Sequence, residues 1–419
     1  MKGEPKLQTI VIVNDFAYVN GGAGQVAVTT AIEVSNQGYD VVYFSSVGPN
    51  DEVLLNKKIK LVCLNQKDIL NEPNRLKAAV QGIWNYHAYR EFSKLLDTLD
   101  KEKTIIHFHT ISKAISSSVI RVAVNKGFRI VFHMHDYGLI CPNMGLYDYK
   151  KKHICEIKPM SFKCFCTNCD ARRYSHKLWR STRQFIQSSV GGVKEDIKNI
   201  ITVSNFSRDI VSKYFNQNTN FYTLYNPISV TKGYRSTPEN NDYYVFVGRL
   251  SQEKDPLFIA EVAKRLNIKI IFVGDGELRG DIQSIYPKAK ITGWITRDKV
   301  LDCMKKSRGL IMSSRCYETH GLVVSEAAAL GIPSIVPHTC AATEFVKDNI
   351  TGLIYEAGKH ESLIDKVLIM NNNIKLKEMS EHVYDNYWSN PLTTERYIKQ
   401  LLNIYHDVMG YSSSRSTSI

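Results

Sequence analysis

The most constraining feature of this chain is a rhythm. Short runs rich in β-branched and aromatic residues alternate with longer stretches of helical periodicity, in two series separated by a polar break. In the first series the strand candidates are Leu7–Val13, Val41–Ser45, Lys60–Leu64, Thr104–His109, Arg129–Met134 and Asn199–Val203. Between them, Gln25–Gln37 and Asn74–Leu96 carry apolar residues at three- and four-residue steps, the spacing that gathers them on one face of a helix. Strand, helix, strand, repeated in this way, predicts a parallel sheet with helices on both faces. After Asn226-Pro227 the pattern weakens into Ser229–Asp242, rich in Ser, Thr, Asn and Lys, which reads as an interdomain linker. A second series runs through Tyr243–Val247, Ile268–Val273, Leu310–Met312 and Ser334–Val336, with helices expected at Pro256–Leu266 and Leu322–Leu330. Two βαβ domains in tandem fit this order better than one barrel, because the polar break falls near the middle. The expected organisation is a first domain at residues 1–228 with a cysteine-rich insert at 141–169, a linker at 229–242, a second domain at 243–390, a terminal helix at 391–411 and a disordered tail at 412–419.

Composition narrows the class. With 419 residues, 43% hydrophobic and 23% charged, the chain has the balance of a globular protein large enough for two cores, not of a disordered, collagen-like or minimal disulfide chain. No run approaches the roughly 18 apolar residues of a membrane-spanning helix. Met1–Lys6 is polar and no cleavage site follows, so no secretory signal is expected. The expected location is cytoplasmic, where the nine cysteines would be reduced thiols or metal ligands. The net charge of +13 is uneven: residues 1–200 carry 28 Lys and Arg against 18 Asp and Glu, the remainder 26 against 23. The densest basic stretch is Lys150–Arg183, which suits nucleic acid, anionic lipid or a phosphorylated substrate, or is simply a solvated face.

Several motifs sit where strands end. Asn20-Gly21-Gly22-Ala23-Gly24 follows the first strand and precedes a helix, so its backbone N–H groups could approach an oxygen-rich ligand; a tight turn accounts for the same residues. The second domain's first strand runs into Gly248-Arg249-Leu250-Ser251-Gln252-Glu253-Lys254, where Arg249 offers a planar fork and Lys254 a point charge for a diphosphate. Gly274-Asp275-Gly276-Glu277 is either a turn or a backbone contact to a nucleobase. The most specific element is Glu318-Thr319-His320-Gly321-Leu322-Val323-Val324-Ser325-Glu326. Gly321 permits close approach, the N–H groups of Leu322 and Val323 open a helix, and Glu318 and Glu326 offer acceptors for hydroxyl groups at the two ends of a ligand.

Histidines and cysteines add further candidates. His133 and His135 share a strand face, with Asp136 starting the loop, and His107 and His109 do the same one strand earlier; each suits a polar contact, acid/base chemistry or a buried structural role. Cys166 and Cys169 have the two-residue gap of structural zinc sites, and Cys141, Cys155 and Cys164 could complete a thiolate set; free thiols on a loop are the alternative.

Taken together these motifs resemble the retaining glycosyltransferases of family 4, whose GT-B architecture sets two Rossmann-like domains face to face across a cleft. The matching residues are the Gly21-Gly22 loop, His135-Asp136-Tyr137, Val203-Ser204, Asn226-Pro227, Gly248-Arg249-Leu250 with Lys254, Gly274 to Glu277 and Glu318 to Glu326, in order from about Ile10 to Gly358. His320 stands where many members carry Phe or Cys. His135-Asp136 followed by Cys141-Pro142 resembles a subgroup making bacterial surface polysaccharides, with capsule or lipopolysaccharide as the product class.

The resemblance implies a nucleotide-diphosphate sugar, UDP- or GDP-linked, as donor and a glycan or lipid-linked acceptor. It assigns Arg249 and Lys254 to the diphosphate, Glu326 to the ribose, Glu318 to the donor sugar, and Gly321, Leu322 and Val323 to phosphate and sugar oxygens. Glu277 joins the donor-binding set, Gly22 approaches the diphosphate, and His135 contacts the sugar near the reacting carbon. No metal is expected for catalysis, and the terminal helix is expected to pack back on the first domain. Lipid-linked acceptors give the basic excess a role as a peripheral contact with an anionic membrane, and no nucleic acid is expected. The alternatives are a nucleotide-sugar epimerase of the same fold, a zinc-stabilised nucleic-acid-binding protein, and a member that binds without turning over.

Overall fold

The computed structural model describes residues 6–55 and 59–411, so the expected tail at 412–419 lies outside the described residues. The chain divides into two compact units. One comprises residues up to Gly145, Ile157–Tyr225 and the chain from Glu395; the other comprises Leu146–Glu156 and Asn226–Thr394. Each is an α/β sandwich around a parallel sheet, the Rossmann-like architecture the sequence predicts.

In chain order the strands are β1 (Thr9–Phe16), β2 (Asp40–Val47), β3 (Ile59–Cys63), β4 (Thr104–Phe108), β5 (Arg129–Met134), β6 (Tyr147–Asp148), β7 (His153–Ile154), β8 (Asn199–Thr202) and β9 (Asn220–Thr223). Seven of these form the first unit's sheet in the order β3-β2-β1-β4-β5-β8-β9, while β6 and β7 make a small antiparallel hairpin. The chain runs outward from β1 to β3, then returns to the other side of β1 as β4, so the strand order reverses between the parallel neighbours β1 and β4. Ile10, Ile12, Val131 and Ile201 face helix Gly22–Asn36 and the terminal helix Thr394–Met409, which contribute Val26, Ala27, Ala31, Tyr397, Leu401 and Tyr405 to the same core. The terminal helix is locked there by two polar contacts, Thr30 Oγ1 to Tyr397 Oη (2.8 Å) and His107 Nδ1 to Tyr405 Oη (2.7 Å). On the opposite face Phe44, Phe92, Phe108 and Phe132 form a chain of ring contacts.

The second unit repeats the plan with β10 (Tyr243–Val247), β11 (Lys269–Val273), β12 (Lys290–Ile291), β13 (Gly309–Ile311), β14 (Ser334–Pro337) and β15 (Gly352–Tyr355), in the order β12-β11-β10-β13-β14-β15. One face packs on helices Pro256–Leu266 and His360–Met370 through Phe246, Phe272, Phe258 and Val367. The other packs on helix Leu322–Ala329 through Val245, Met312, Val324 and Ala327. The reversal here falls between β10 and β13, and in open α/β sheets that point is where ligands bind.

Three features depart from the sequence expectation. The helix expected over 74–96 is two helices, Arg75–Ile83 and Tyr86–Asp97. Asn85 breaks it by turning its side chain on the backbone, accepting from Ala88 N (3.0 Å) and donating to the Ala114 carbonyl (2.7 Å). The segment 229–242 lies against the second unit, where Arg235 donates to Ser380 Oγ (2.6 Å) and to the Ser236 carbonyl. The insert at 141–169 is also shared out, since 146–156 belongs to the second unit, where Gln252 Nε2 donates to the Tyr149 carbonyl (2.8 Å).

Two glycine-containing loops brace the second unit's reversal point. Gly248 N donates to Val273 O (3.0 Å) and Leu250 N to Asp275 O (2.9 Å). This apposition leaves no room for side chains: a Cβ on Gly274 would stand 2.0 Å from the Gly248 carbonyl oxygen, and one on Gly276 2.4 Å from that of Leu250. Gly274 also has φ +141. The glycines of Gly274-Asp275-Gly276 therefore have a packing role. Gly274→Ala is expected to destabilise the second unit by about 2 kcal/mol or more, read as a lower urea midpoint. Gly280→Ala, where an added Cβ meets nothing within 4 Å, is the control and should leave the midpoint unchanged or higher.

Candidate functional site

The reversal in the second unit puts the carboxyl ends of β10 and β13 side by side, and the loops that leave them are bonded together. Ser313 Oγ donates to the carbonyls of Lys254 (2.7 Å) and Asp255 (2.9 Å), Arg315 N donates to Glu253 O (2.9 Å), and the Arg315 guanidinium pairs with the Asp255 carboxylate. Residues some sixty positions apart are thereby fixed before any side chain meets a ligand.

Within that frame Lys254 Nζ pairs with the Glu318 carboxylate, which also accepts from Ser314 Oγ. Both bonds fall on Oε1, so Oε2 keeps its lone pairs for another donor. Burial works against the charge on each partner, and the pairing outweighs it. The Glu318 carboxyl is held below its ordinary value by Lys254, with help from Ser314 and Arg249, and the Lys254 ammonium is held above its own. Arg249, whose side chain is 65% exposed, reaches Glu253 Oε1 at 3.1 Å, and Ser251 Oγ donates to the same oxygen at 2.8 Å. The sequence reading gave Lys254 to a phosphate and Glu318 to a sugar; the structure joins the two directly, and places Arg249 close enough to bias Glu318.

Gly321 precedes helix Leu322–Ala329 at φ +89, a conformation that favours glycine, and a Cβ there would stand 2.9 Å from that of Ala342. The amides of Leu322 and Val323 open the helix, where N–H groups lack intrahelical partners and carry its partial positive charge. Glu326, one turn further and buried, is paired with Arg297 at 2.6 Å; burial raises its pKa and Arg297 opposes the rise. Glu277 is exposed on the loop after β11. Sequence reasoning missed Glu253, Ser314, Arg315 and Arg297. Glu253 stood within a motif already singled out, four residues from Arg249, but no sequence signal links Arg297 to Glu326.

In the first unit Gly22 begins helix Gly22–Asn36 beyond the carboxyl end of β1, preceded by Gly21 at φ +91. His107, His109, His133 and His135 form a stacked ladder on one face of β4 and β5, as their spacing predicts: His107–His133 rings lie 5.5 Å apart and His133–His135 rings 4.4 Å apart. His109 Nδ1 meets His135 Nε2 at 3.0 Å. Burial drives the pKa of His107 and His135 down to about 3 and those of His109 and His133 well below the usual value, so all four are neutral at pH 7. His135 can therefore offer a hydrogen bond but no charge. Asp15 at the end of β1 accepts from the backbone amides of Lys113, Ala114 and Ile115 at 2.8–2.9 Å and so shapes the loop after β4; burial raises its pKa to about 6.

Ring nitrogens of His107, His109 and His133 lie within 4.8 Å of one another and, among the described residues, form the one group of His, Cys, Asp or Glu with metal-binding spacing. The five-cysteine site is not assembled. Cys155 lies in the second unit, Cys166 is exposed, and Cys164 Sγ accepts from the buried Lys177 ammonium at 3.3 Å, while Asn143 Nδ2 donates to Cys169 Sγ at 3.1 Å. The basic stretch is likewise not one solvated face. Lys177 and Arg183 are buried on the inner side of helix Tyr174–Ser189, and Arg180 is paired with the buried Asp170 at 3.1 Å.

The histidine ladder has a measurable consequence. Unfolded, each imidazole takes up a proton near pH 6.5; folded, it does so only at far lower pH. The unfolded chain thus binds more protons below about 6.5, and stability must fall as pH drops from there toward the folded values near 3. Hydrogen exchange at β4 and β5 should show this loss, and His133→Gln should lessen its pH slope by about one proton. An unaltered slope would place the loss elsewhere.

Comparison with known proteins adds to the geometry. Residues 232–385 match the sequence model of a family described as Glycosyl transferases group 1. Among characterised relatives, the UDP-Gal:alpha-D-GlcNAc-diphosphoundecaprenol alpha-1,3-galactosyltransferase of Escherichia coli is 27% identical over 157 residues, 34% of this chain and 40% of that protein. The GDP-mannose-dependent alpha-mannosyltransferase of Mycolicibacterium smegmatis is 31% identical over 125 residues, 30% of this chain and 33% of that one. The aligned stretches thus span well under two thirds of either relative. Among solved structures, sucrose-phosphate synthase of Thermosynechococcus elongatus superposes with a TM-score of 0.71 at 14% identity, covering 97% of this chain and 100% of that one. The HepE protein of Anabaena, in complex with UDP and glucose, gives 0.64 at 13%, covering 96% and 100%. The two Rossmann-like domains share the fold of these structures, the GT-B architecture.

Proposed function

We propose that this protein is a retaining glycosyltransferase that moves a hexose or N-acetylhexosamine from a UDP- or GDP-linked sugar to a glycan or lipid-linked acceptor in bacterial surface-polysaccharide synthesis. The observation that carries this reading is the Lys254–Glu318 pair with Arg249 beside it, placed at the reversal point of the second unit and inside the matched region.

Catalysis at such a site is mainly electrostatic. As the bond to the donor sugar breaks, negative charge collects on the departing nucleotide diphosphate, and Arg249, Lys254 and the first amides of helix Leu322–Ala329 oppose it. These groups supply the positive charge a metal would otherwise bring, so the reading needs none. Glu318, kept ionised by Lys254, turns Oε2 to the sugar hydroxyls, and Glu326, oriented by Arg297, accepts from the ribose. Glu277 adds a polar contact to the donor. In the first unit Gly22 is assigned to the diphosphate and neutral His135 to the sugar, near the carbon that reacts. Function at a membrane is proposed as peripheral and on the cytoplasmic side; among the described residues no helix is long and apolar enough to cross a bilayer.

The reading is tested in two steps. Thermal shift against UDP, GDP and their sugars should show stabilisation by one nucleotide series. Glu318→Gln, which keeps the hydrogen bond from Ser314, should then lower turnover by about 100-fold or more with nucleotide affinity within about threefold. Near-normal turnover would overturn the role of Glu318. Lys254→Ala is a harsher variant, because an unpaired buried carboxylate costs about 3–5 kcal/mol. A donor epimerised without any acceptor would favour the epimerase instead. Among the described residues no set of cysteines has metal-binding spacing, which counts against the zinc-stabilised nucleic-acid reading.

A further inference from the structure

Helices Arg75–Ile83 and Tyr174–Ser189 of the first unit lie side by side. Trp179 Nε1 donates to the Ala79 carbonyl (3.0 Å), and the Trp179 ring fills the space beside Gly82, where an added Cβ would stand 2.6 Å away. Between these helices and the loop after β4 is a cavity of about 300 Å³. One part of its wall is apolar, from Ile69, Leu70, Ala78, Ala79, Met144 and Trp179. The rest is polar, with Ser112 and His176 beside the cations Arg75, Lys113, Arg172, Arg180 and Arg183. No carboxylate lines it, and none of the donor-site groups does.

The cations are held in place. Arg183, nearly buried, donates from Nη1 to the Ser112 carbonyl (3.0 Å) and lies 5.2 Å from the centre of the Trp179 ring. Arg180 is anchored by Asp170. Arg75 donates to the carbonyls of Leu70 (3.3 Å) and Glu72 (3.1 Å). Burial, and after it the neighbouring charge of Arg180, lower the pKa of Arg183 to about 10, against the opposing pull of the Asp136 and Asp15 carboxylates. Arg180 and Arg183 lie three residues apart on one helix; Asp170 pairs with the first, so Arg183, tied directly only to a carbonyl and a ring face, is the guanidinium with donors left for an anion.

The surroundings specify what the anion carries. Ser112, Met144 and Arg183 also line a smaller cavity of about 30 Å³ that holds His135 and Asp136. A ligand anchored at the arginines therefore has an apolar wall on one side and His135 on the other. Near the apolar side, Leu70 is half exposed, and Leu76 and Val80, one turn apart on helix Arg75–Ile83, are 81% and 66% exposed. Basic and apolar groups in this combination match the headgroup boundary of a membrane.

We propose that this cavity binds the isoprenoid diphosphate of a lipid-linked sugar acceptor. The arginines hold the diphosphate, the first isoprene units lie along Ala79 and Trp179, and the acceptor sugar is directed toward His135 and Asp136. The direction given to the sugar rests on the transferase reading above; the binding of the isoprenoid diphosphate does not.

Farnesyl diphosphate is the test ligand, titrated into the full chain by calorimetry and by tryptophan fluorescence, with farnesol and inorganic pyrophosphate as its separate halves. It should bind at least tenfold tighter than either half, and more weakly as salt rises. Ala79→Phe, which fills the apolar part, should weaken binding tenfold or more. Arg75→Gln, a change at an exposed position, should weaken it several-fold without altering thermal stability, and covers the case in which Ala79→Phe does not fold. Nucleotide diphosphate affinity should stay within twofold in both variants. Pyrophosphate binding as tightly as farnesyl diphosphate, or variants with unchanged affinity, would overturn the assignment. Two further results separate it from the transferase reading. Farnesyl diphosphate binding as expected with no sugar transfer from any donor would leave the cavity assignment standing and defeat the transferase. Transfer to a polyprenyl-diphosphate sugar with unchanged KM in both variants would do the reverse.

Discussion

The ion pair of Lys254 and Glu318 is the contact on which the second unit's chemistry depends. Removing two charges from water is expensive, and their attraction offsets that cost only where the geometry is good and the remaining lone pairs find donors. Here the backbone provides the geometry. Ser313 ties the end of β13 to the Lys254–Asp255 turn, and Ser314 gives Glu318 a second hydrogen bond. The pair keeps a buried carboxylate ionised and fixed in place by its own neighbours. Arg249 is the complement: its side chain is exposed and paired with Glu253, with its charge also felt at Glu318.

Both sheets run outward from a central first strand and return on its other side, and this repeated order decides where chemistry gathers. In the second unit the reversal collects charge, as Arg249, Lys254, Glu318 and the helix opened by Gly321. In the first it collects neutral polar groups, as the histidine ladder and the caged carboxylate of Asp15. One unit thus gathers opposite charges at its reversal point and the other gathers neutral imidazoles, with the arginine-lined cavity sharing Ser112, Met144 and Arg183 with the pocket around His135.

Elements whose local pattern agrees with their tertiary role were legible in the sequence. Arg129–Met134, Tyr243–Val247 and Pro256–Leu266 appear in the structure with the predicted bounds, because a strand buried on both faces reads as a continuous apolar run and Pro256 marks a helix start. Asn220–Thr223 and Gly352–Tyr355 were missed: each is four residues long and is defined by the neighbour it pairs with. The break at Asn85 was hidden because the apolar spacing continues through it; its local cap on Ala88 is joined by bonds to the distant Ala114 carbonyl and Ser116 hydroxyl, which no sequence pattern shows. The donor-site candidates were legible because they cluster in short motifs. Arg297 was not, since its partner Glu326 is met only through the fold. For the cysteines the reading as free thiols holds: Cys164 and Cys169 have the Lys177 ammonium and the Asn143 amide as polar neighbours, a pairing that only the fold makes.

The terminal helix has a consequence for how the molecule can be dissected. Tyr397, Leu401 and Tyr405 complete the core over β1 and β4, yet the residues just before them, up to Thr394, belong to the other unit. The backbone therefore passes from one unit to the other and back again. Cutting the gene at the middle would leave the first half lacking a wall of its own interior and would give the second half a helix with no counterpart. An independent first unit needs the end of the chain grafted back on, and any lesion that shortens that end acts on the unit furthest from it in sequence.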